Sequence, residues 1–232
     1  MLRSLDRDGV KIDYELVYTA RKSGVRISVQ NGVVRVNAPA GIPPNDVDAS
    51  VLKNAEWIRG ALARFAKVCG EQLKPFTNGR IFDIEGAPYV LRIVKADRKN
   101  VQVTAGELVV QTPDISSETV RAAVREYLIH RAGDLLQERT KHYGSIIGRS
   151  PAHITIREQK TRWGSCSSKG NLNFNWRLIM APREALDYVV IHELCHLYEM
   201  NHSAAFWKRV SELCPDYLKW RDYLKKNPIA GI

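Results

Sequence analysis

Three of the six histidines in this 232-residue chain fall between residues 192 and 202. His192 and His196 are four positions apart in the sequence HELCH, so on a helix both imidazoles project from one face and can bind one metal ion. Glu193 is one position further round that helix, where its carboxylate can act on a water at the ion without binding the ion itself. This spacing indicates a zinc-dependent hydrolase.

A third ligand is expected, because a catalytic zinc ion uses three protein ligands and leaves one position open for water. His202 follows His196 by six residues, the spacing of the metzincin signature HExxHxxGxxH, but Glu199 stands where that signature has glycine. We therefore expect the chain to turn back through residues 200–201, because asparagine tolerates a positive φ. His202 is the preferred third ligand to one zinc ion per chain, with Glu199 and Glu212 as carboxylate alternatives.

A second block, QKTRWGSCSSKG, lies between two predicted strands and carries Arg162, Trp163 and Cys166. We interpret Trp163 and Cys166 as packing residues of a hairpin beneath the histidine helix, and the alternative for Cys166 is a contact to the metal. Whether Arg162 lies in the wall of the cleft and faces an anion is left open. Cys195 is inside HELCH but is rotated off the metal-binding face, so it is also expected to pack in the core.

Together, TRWGSCSSKGNLNFNWRLIMAP and DYVVIHELCHLYEMNHSAAFW resemble the YgjP-like, SprT-related family of predicted zinc metallopeptidases. The segment GVRISVQNGVVRVNAPAGIPPNDVDASVLKNAEWIRGAL resembles the N-terminal region of that family, so the resemblance covers nearly the whole chain. It implies that His192, His196 and His202 bind zinc and that Glu193 is the general base.

The expected chemistry is hydrolysis of a peptide or protein. Glu193 would activate a zinc-bound water, which attacks a polarised carbonyl, and would pass the proton to the leaving amine. Arg162, Arg177 and Tyr198 are candidates for stabilising the oxyanion that forms. The polar face of a strand predicted at 171–180 would pair with the extended substrate.

A basic segment leaves two other functions open. Residues 149–183 hold seven basic residues and one acid, in a chain whose net charge is +10. Such a segment favours anionic partners, although a solvated basic face is an equally good explanation. The alternatives are a metal-dependent nucleotide phosphohydrolase and a non-enzymatic zinc module that binds nucleic acid. A peptidase substrate could likewise be anionic or associated with nucleic acid.

Composition excludes some classes of protein. The chain is 44% hydrophobic and 26% charged, and no stretch approaches the roughly 18 apolar residues that a membrane span needs. The first ten residues mix acids and bases and contain no apolar signal region. Four cysteines without a CxxC pair predict free thiols in a reducing compartment, hence a cytoplasmic protein with no membrane partner.

Strands dominate the first 113 residues. Residues 10–38 alternate apolar and polar positions about Asn31-Gly32, which predicts a tight hairpin. Residues 46–67 keep helical spacing and predict one helix, and strands return at 80–94 and 100–113.

The later elements must position the histidines. We predict a helix at 117–141, a connector at 142–151, a strand at 153–158, the strand at 171–180 and the histidine helix from Pro182 onwards, followed by one or two helices. Strands and helices are segregated, which favours an α+β fold. We assign residues 1–113 to a platform or cap and residues 114–232 to the zinc-dependent metallopeptidase domain.

Overall fold

A computed structural model describes residues 1–7, 10–20, 24–30, 32–73, 75–159 and 161–227 of the protein. The chain forms two compact units, Met1–Leu73 and Lys74–Ile232, and both mix helices with strands, which confirms the α+β class. The units divide after Leu73 rather than at residue 113, because the second four-stranded sheet belongs to the later unit. The assignment of a platform and a catalytic part to the two halves stays a prediction.

The first unit is a mixed sheet with two helices. Its elements are β1 (Leu2–Arg7), β2 (Val10–Thr19), β3 (Arg26–Gln30), β4 (Val33–Pro39), α1 (Pro44–Lys53) and α2 (Ala55–Leu73). The strand order is β1-β2-β4-β3, with β2 and β4 parallel at the centre and antiparallel strands outside them. The single helix predicted at 46–67 is wrong: it is interrupted at Asn54, whose side chain donates to the carbonyl of Ser50 at 2.8 Å.

Alternate side chains of the two central strands form the core of this unit. The buried members are Ile12, Tyr14, Leu16, Val34, Val36 and Ala38, and helix residues Val47, Val51 and Ile58 pack against them. The predicted hairpin is confirmed by the pairing of Gln30 with Val33, although Asn31 lies outside the described residues. Gly32 has φ +75, and a Cβ there would come within 2.7 Å of the Phe65 ring.

The second unit begins with another four-stranded sheet, built from the two segments in which the sequence predicted strands. Its strands are β5 (Ile81–Ile84), β6 (Ala87–Lys95), β7 (Asn100–Thr104) and β8 (Glu107–Thr112). Their order, β5-β6-β8-β7, again places a parallel pair at the centre. One face of this sheet packs against the helix that follows it, and both contribute to a single large core.

That helix, α3 (Ser117–Ile147), is six residues longer than predicted. The connector expected at 142–151 is therefore largely wrong. Gly144 does not break the helix: its carbonyl accepts from the backbone of Gly148 and Arg149, and a Cβ at Gly144 would lie 2.9 Å from the carbonyl oxygen of Arg149. The glycine lets the chain pass close to the helix, which ends at Gly148 with φ +78.

A three-stranded sheet follows, made of β9 (His153–Arg157), β10 (Gly164–Cys166) and β11 (Asn171–Asn175) in the order β10-β11-β9. The strand predicted at 171–180 is wrong beyond Asn175, where a 3-10 helix, Trp176–Met180, begins. Leu178 and Ile179 are neighbours and are both buried, which a half-exposed strand does not allow. Because β11 has a strand on each side, the expected pairing of this strand with a substrate is also wrong.

Three helices complete the chain: α4 (Arg183–Cys195), α5 (Ala204–Leu213) and α6 (Tyr217–Lys226). As predicted, Pro182 precedes the first of them. The α4 helix packs against α3, α5, α6 and β10, and nine of its thirteen residues are buried. Among the described helices, none combines the length and the hydropathy that a bilayer crossing needs.

Candidate metal centre

The rings of His192, His196 and His202 form a nearly equilateral triangle. The ring centroids are 4.9 to 5.0 Å apart, and each ring offers a nitrogen within 4.8 Å of those of the other two. The first two residues lie at the end of α4 and the third lies in the loop before α5. The structure thus brings together the three histidines that the sequence singled out.

The loop reaches His202 without the left-handed residue that we expected at 200–201. Among the non-glycine residues that the structure describes, only Glu85 and Ala105 have positive φ. Instead, α4 ends in tight turns, in which the backbone of Leu197 and Tyr198 donates to carbonyls three residues earlier. The side chain of Asn201 then accepts from the backbone of Ser203, which caps α5.

An aromatic floor lies beneath the triangle. The Phe206 ring is fully buried and stacks on His196 at 4.5 Å, and its edge contacts place it 4.9 Å from His192 and 4.8 Å from His202. Trp207 stacks on His202 with an angle of 22° between the rings. These contacts orient the imidazoles from below, so the cluster does not depend on the loop alone.

The charge state of the cluster suits a cation. Burial, together with repulsion from His196 and His202, lowers the pKa of His192 to about 3, and burial also lowers the pKa of His196. Both rings are therefore neutral at physiological pH, which is the form that binds metal.

Hydrogen bonds set the direction of the ring nitrogens. His196 Nδ1 lies 2.9 Å from the carbonyl oxygen of Glu199, which can only accept, so Nδ1 carries the proton and Nε2 presents its lone pair. The Nε2 atoms of His192 and His202 are 3.1 Å apart, a distance that fits either a hydrogen bond between the two rings or a cation bound to both. A borderline-soft divalent ion such as zinc fits three imidazoles better than magnesium does.

Glu193 is only 5% exposed, and burial raises its pKa to about 8. Gly164 of β10 lies directly against it: a Cβ on that glycine would come within 2.7 Å of Glu193 Oε1 and 2.8 Å of Cγ. The glycine of the RWGSC block therefore makes room for the carboxylate. A glycine inside a strand is a signal of such close approach, although Gly164 was not among the predicted site residues.

The rival ligands stay outside the cluster. Glu199 contributes its backbone carbonyl to His196, and neither its carboxylate nor that of Glu212 belongs to the group of donors around the triangle. Cys166 is half-buried, donates to the carbonyl of Ser167 and packs on the core, and Cys195 is fully buried. Both cysteines thus have the packing contacts that we predicted.

A cavity of about 440 Å³ opens beside His192 and Glu193. The same cavity is lined by side chains of α4, α6 and the loop before β10, namely Thr161, Arg162, Trp163, Tyr188, Val189, Arg221, Leu224 and Lys225. Tyr188 is one turn before His192, and burial raises the pKa of its hydroxyl to about 12, so it remains a hydrogen-bond donor. Its position on the helix could have indicated it, whereas nothing in the sequence connects Arg221 or Lys225 to the site.

Of the three oxyanion candidates, only Arg162 lines this cavity. Arg177 pairs with Glu158 at 2.6 Å and lies over the Trp176 ring. The hydroxyl of Tyr198 donates to the carbonyl of Ile147 at 2.9 Å. Tyr188, which was not among the predicted candidates, lines the cavity and can take the role that we predicted for Tyr198.

The basic segment 149–183 is dispersed rather than concentrated at the site. Arg183 pairs with Glu85 and Glu138, and Arg149 donates to the carbonyl of Leu197. Lys160 lies outside the described residues. Of the described residues in this segment, Arg162 is the only basic one that lines the cavity, so the charge of the segment says little about the substrate.

One buried amide holds the cavity wall in place. Asn175, at the end of β11, is fully buried, and its Nδ2 donates to the carbonyls of Gln159 and Arg162 at 2.7 and 3.2 Å. Its Oδ1 accepts from the backbone of Arg177. The side chain of Asn175 therefore ties the loop that carries Arg162 to the sheet.

Two solved structures of zymogens are similar to part of the chain. The metallopeptidase zymogen of Pyrococcus abyssi abylysin is 23% identical, over 40% of this chain and 93% of its own length, with a TM-score of 0.37. The metallopeptidase zymogen of Methanocaldococcus jannaschii jannalysin is 24% identical, over 40% of this chain and 95% of its own length, with a TM-score of 0.32. No curated protein matches the chain.

The family that the two sequence blocks resemble is found independently. The YgjP-like metallopeptidase domain matches residues 23–227, which is most of the chain and includes the whole of α4 and the histidine triangle. With that match, the chain belongs to the YgjP-like family of metallopeptidase domains.

Proposed function

We propose that this protein is a zinc-dependent peptidase in which His192, His196 and His202 hold one zinc ion and Glu193 is the general base. The observation that carries the proposal is the buried Glu193 carboxylate, placed next to three convergent imidazoles at the wall of an open cavity. A structural zinc site has four protein ligands and excludes water. The described residues provide three such donors, all histidines. The Glu193 carboxylate is not one of them, so it is available to act as the base.

A divalent ion, when bound at the triangle, supplies a Lewis acid that polarises the scissile carbonyl and makes water easier to deprotonate. Glu193 accepts a proton from the attacking water and donates it to the nitrogen of the departing amine. The ionised carboxylate is thereby regenerated in each cycle. Burial raises the pKa of Glu193, and a cation bound at the triangle lowers that pKa again. The cation thus favours the ionised carboxylate, which is the form that accepts a proton. The Tyr188 hydroxyl, at the cavity one turn before His192, donates to the oxygen that becomes negative.

The edge strand β10 offers a place for the peptide backbone. The backbone nitrogen of Asn175 donates to the carbonyl of Trp163, and the backbone nitrogen of Ser167 donates to the carbonyl of Asn171. The backbone groups of Trp163 and Ser167 therefore point towards β11. By the alternation of an antiparallel ladder, the backbone groups of Gly164 and Cys166 point to the other side, where no described strand pairs with them. An extended peptide added there would pass over Glu193.

The decisive experiment combines metal analysis with a choice of substrates. We expect the purified chain to contain about one zinc ion and to hydrolyse casein, and we expect a chelator to reduce that activity by about 100-fold or more until zinc is restored. Nucleoside triphosphates serve as the competing substrate. Hydrolysis of triphosphates but not casein would replace the peptidase by a phosphohydrolase, and bound zinc with neither activity would favour a binding module.

A second prediction follows from the contact between Gly164 and Glu193. In Gly164→Ala the added Cβ must displace the buried carboxylate, since the atoms that it meets belong to Glu193 itself. We expect peptide hydrolysis to fall by about 10- to 100-fold, because small displacements of a reacting group have effects of that size. Zinc content, measured on the same preparation, is expected to be unchanged.

Gly133→Ala is the matched control for that variant. Gly133 lies within α3, and its added Cβ would meet only the Ile156 side chain, at 3.8 Å. The control is expected to keep full activity. Full activity in Gly164→Ala as well would mean that the position of the Glu193 carboxylate does not matter for the reaction.

A further inference from the structure

We infer that the cavity beside Glu193 is a specificity pocket for a carboxylate of the peptide substrate, recognised by Arg162, Arg221 and Lys225. This inference rests on the proposed peptidase function and names the class of substrate. Residues from two separate parts of the chain supply the three cations: one from the loop before β10 and two from α6.

The three cations line the cavity without an acidic partner among the described residues. Some other arginines of this unit are neutralised: Arg139 pairs with Asp187 at 2.7 Å and Arg131 with Glu85 at 2.6 Å. Within the described parts of the chain, no carboxylate lies within ion-pair distance of Arg162, Arg221 or Lys225. Their charge is therefore free for a ligand that enters the cavity.

The two helix residues are arranged as a pair. Arg221 and Lys225 are four positions apart on α6, so both project from one face, and Leu224 between them is buried against the core. The Arg221 guanidinium lies 5.6 Å from the centre of the Trp207 ring, the same ring that stacks on His202. The Trp207 ring therefore contacts both the histidine triangle and one of the three cations.

The rest of the lining suits an acidic side chain. Trp163, Val189 and Leu224 provide apolar surface for the methylene groups of such a side chain. A nucleoside triphosphate brings magnesium, which proteins hold with carboxylates. Among the described residues that line this cavity, Glu193 is the only acidic one, so the site offers few carboxylates to hold that magnesium.

The carboxylate can come from Asp or Glu near the scissile bond or from the C-terminus of a peptide. Short labelled peptides distinguish these sources: one set carries Glu or Gln at each position in turn, and another ends in a carboxylate or an amide. We expect the zinc-loaded chain to cleave the better acidic peptide about 10-fold or more faster, in kcat/KM, than its neutral counterpart. High salt is expected to reduce the preference, since the cations are exposed.

Variants on one helix provide the matched comparison. Arg221→Gln/Lys225→Gln removes two charges from the cavity, and Lys219→Gln/Lys226→Gln removes two from residues of α6 that do not line it. We expect the first double variant to lose the preference for acidic peptides and the second to keep it. Cleavage without an acidic preference, or equal loss in both variants, would overturn the pocket assignment while leaving the peptidase in place.

A binding measurement tests the pocket independently of peptide hydrolysis. The anisotropy of the same peptides is measured with zinc-loaded Glu193→Gln, in which the cavity cations are intact. Selective binding of the acidic peptide, without cleavage by the wild type, would support the pocket and remove the peptidase. Displacement of that peptide by a more tightly bound nucleoside triphosphate would overturn the carboxylate assignment in favour of phosphate.

Discussion

Glu193→Gln is expected to fold, to bind one zinc ion and to lose about 100-fold or more of the peptide hydrolysis of the wild type. Glutamine keeps the shape of the side chain against Gly164 but cannot take a proton from water. Folding should be retained, because the neutral amide removes a carboxylate whose burial is itself costly. Zinc content by metal analysis, unfolding temperature and kcat on one preparation together test the expectation.

The control is Glu184→Gln, the same substitution in the first turn of the same helix. Glu184 is exposed and lies outside the cavity, so full activity is expected. A fully active Glu193→Gln would disprove the role of Glu193 as base. Loss of zinc from that variant would instead make Glu193 a ligand or an anchor for one, which favours a structural metal site.

His202→Ala is expected to reduce zinc content as strongly as His196→Ala, by about 10-fold or more after dialysis. The two histidines differ greatly in burial, since His196 is 8% exposed and His202 is an exposed residue of the loop. An effect on zinc that followed burial alone would therefore be much larger for His196. Equal losses indicate a single chelate of three ligands.

His130→Ala is a suitable control for these variants, because His130 is 82% exposed on α3 and pairs only with Asp134. Its zinc content should match the wild type. Normal zinc in His202→Ala, together with loss in a Glu199 or Glu212 variant, would assign the third ligand to a carboxylate.

The sequence predicted the parts of the site whose chemistry depends on local spacing. His192, Glu193 and His196 are on one helix, so their relation follows from helical geometry, and the close approach of His202 follows from a short loop. The turn of that loop was mispredicted, because side-chain hydrogen bonds such as that of Asn201 replaced a left-handed backbone conformation.

The parts that could not be predicted depend on contacts between distant segments. Gly164 meets Glu193 only because β10 packs on α4, and Arg221 reaches the cavity only because α6 packs there too. The alternation at 171–180 was correct as far as Asn175. There a buried amide capped a 3-10 helix, and tertiary burial of two successive apolar residues replaced the strand.

The shortness of the loop that carries His202 has a thermodynamic consequence. An ion that joins residues close in sequence removes little chain entropy from the unfolded state, so it adds little stability as a cross-link. The rings already pack on Phe206, which is buried in the hydrophobic core of the second unit. The free energy of metal binding is then not needed for folding, unlike that in a zinc finger. We therefore expect the folded protein to lose and regain a metal ion without unfolding, so that metal supply would regulate its activity without changing its abundance.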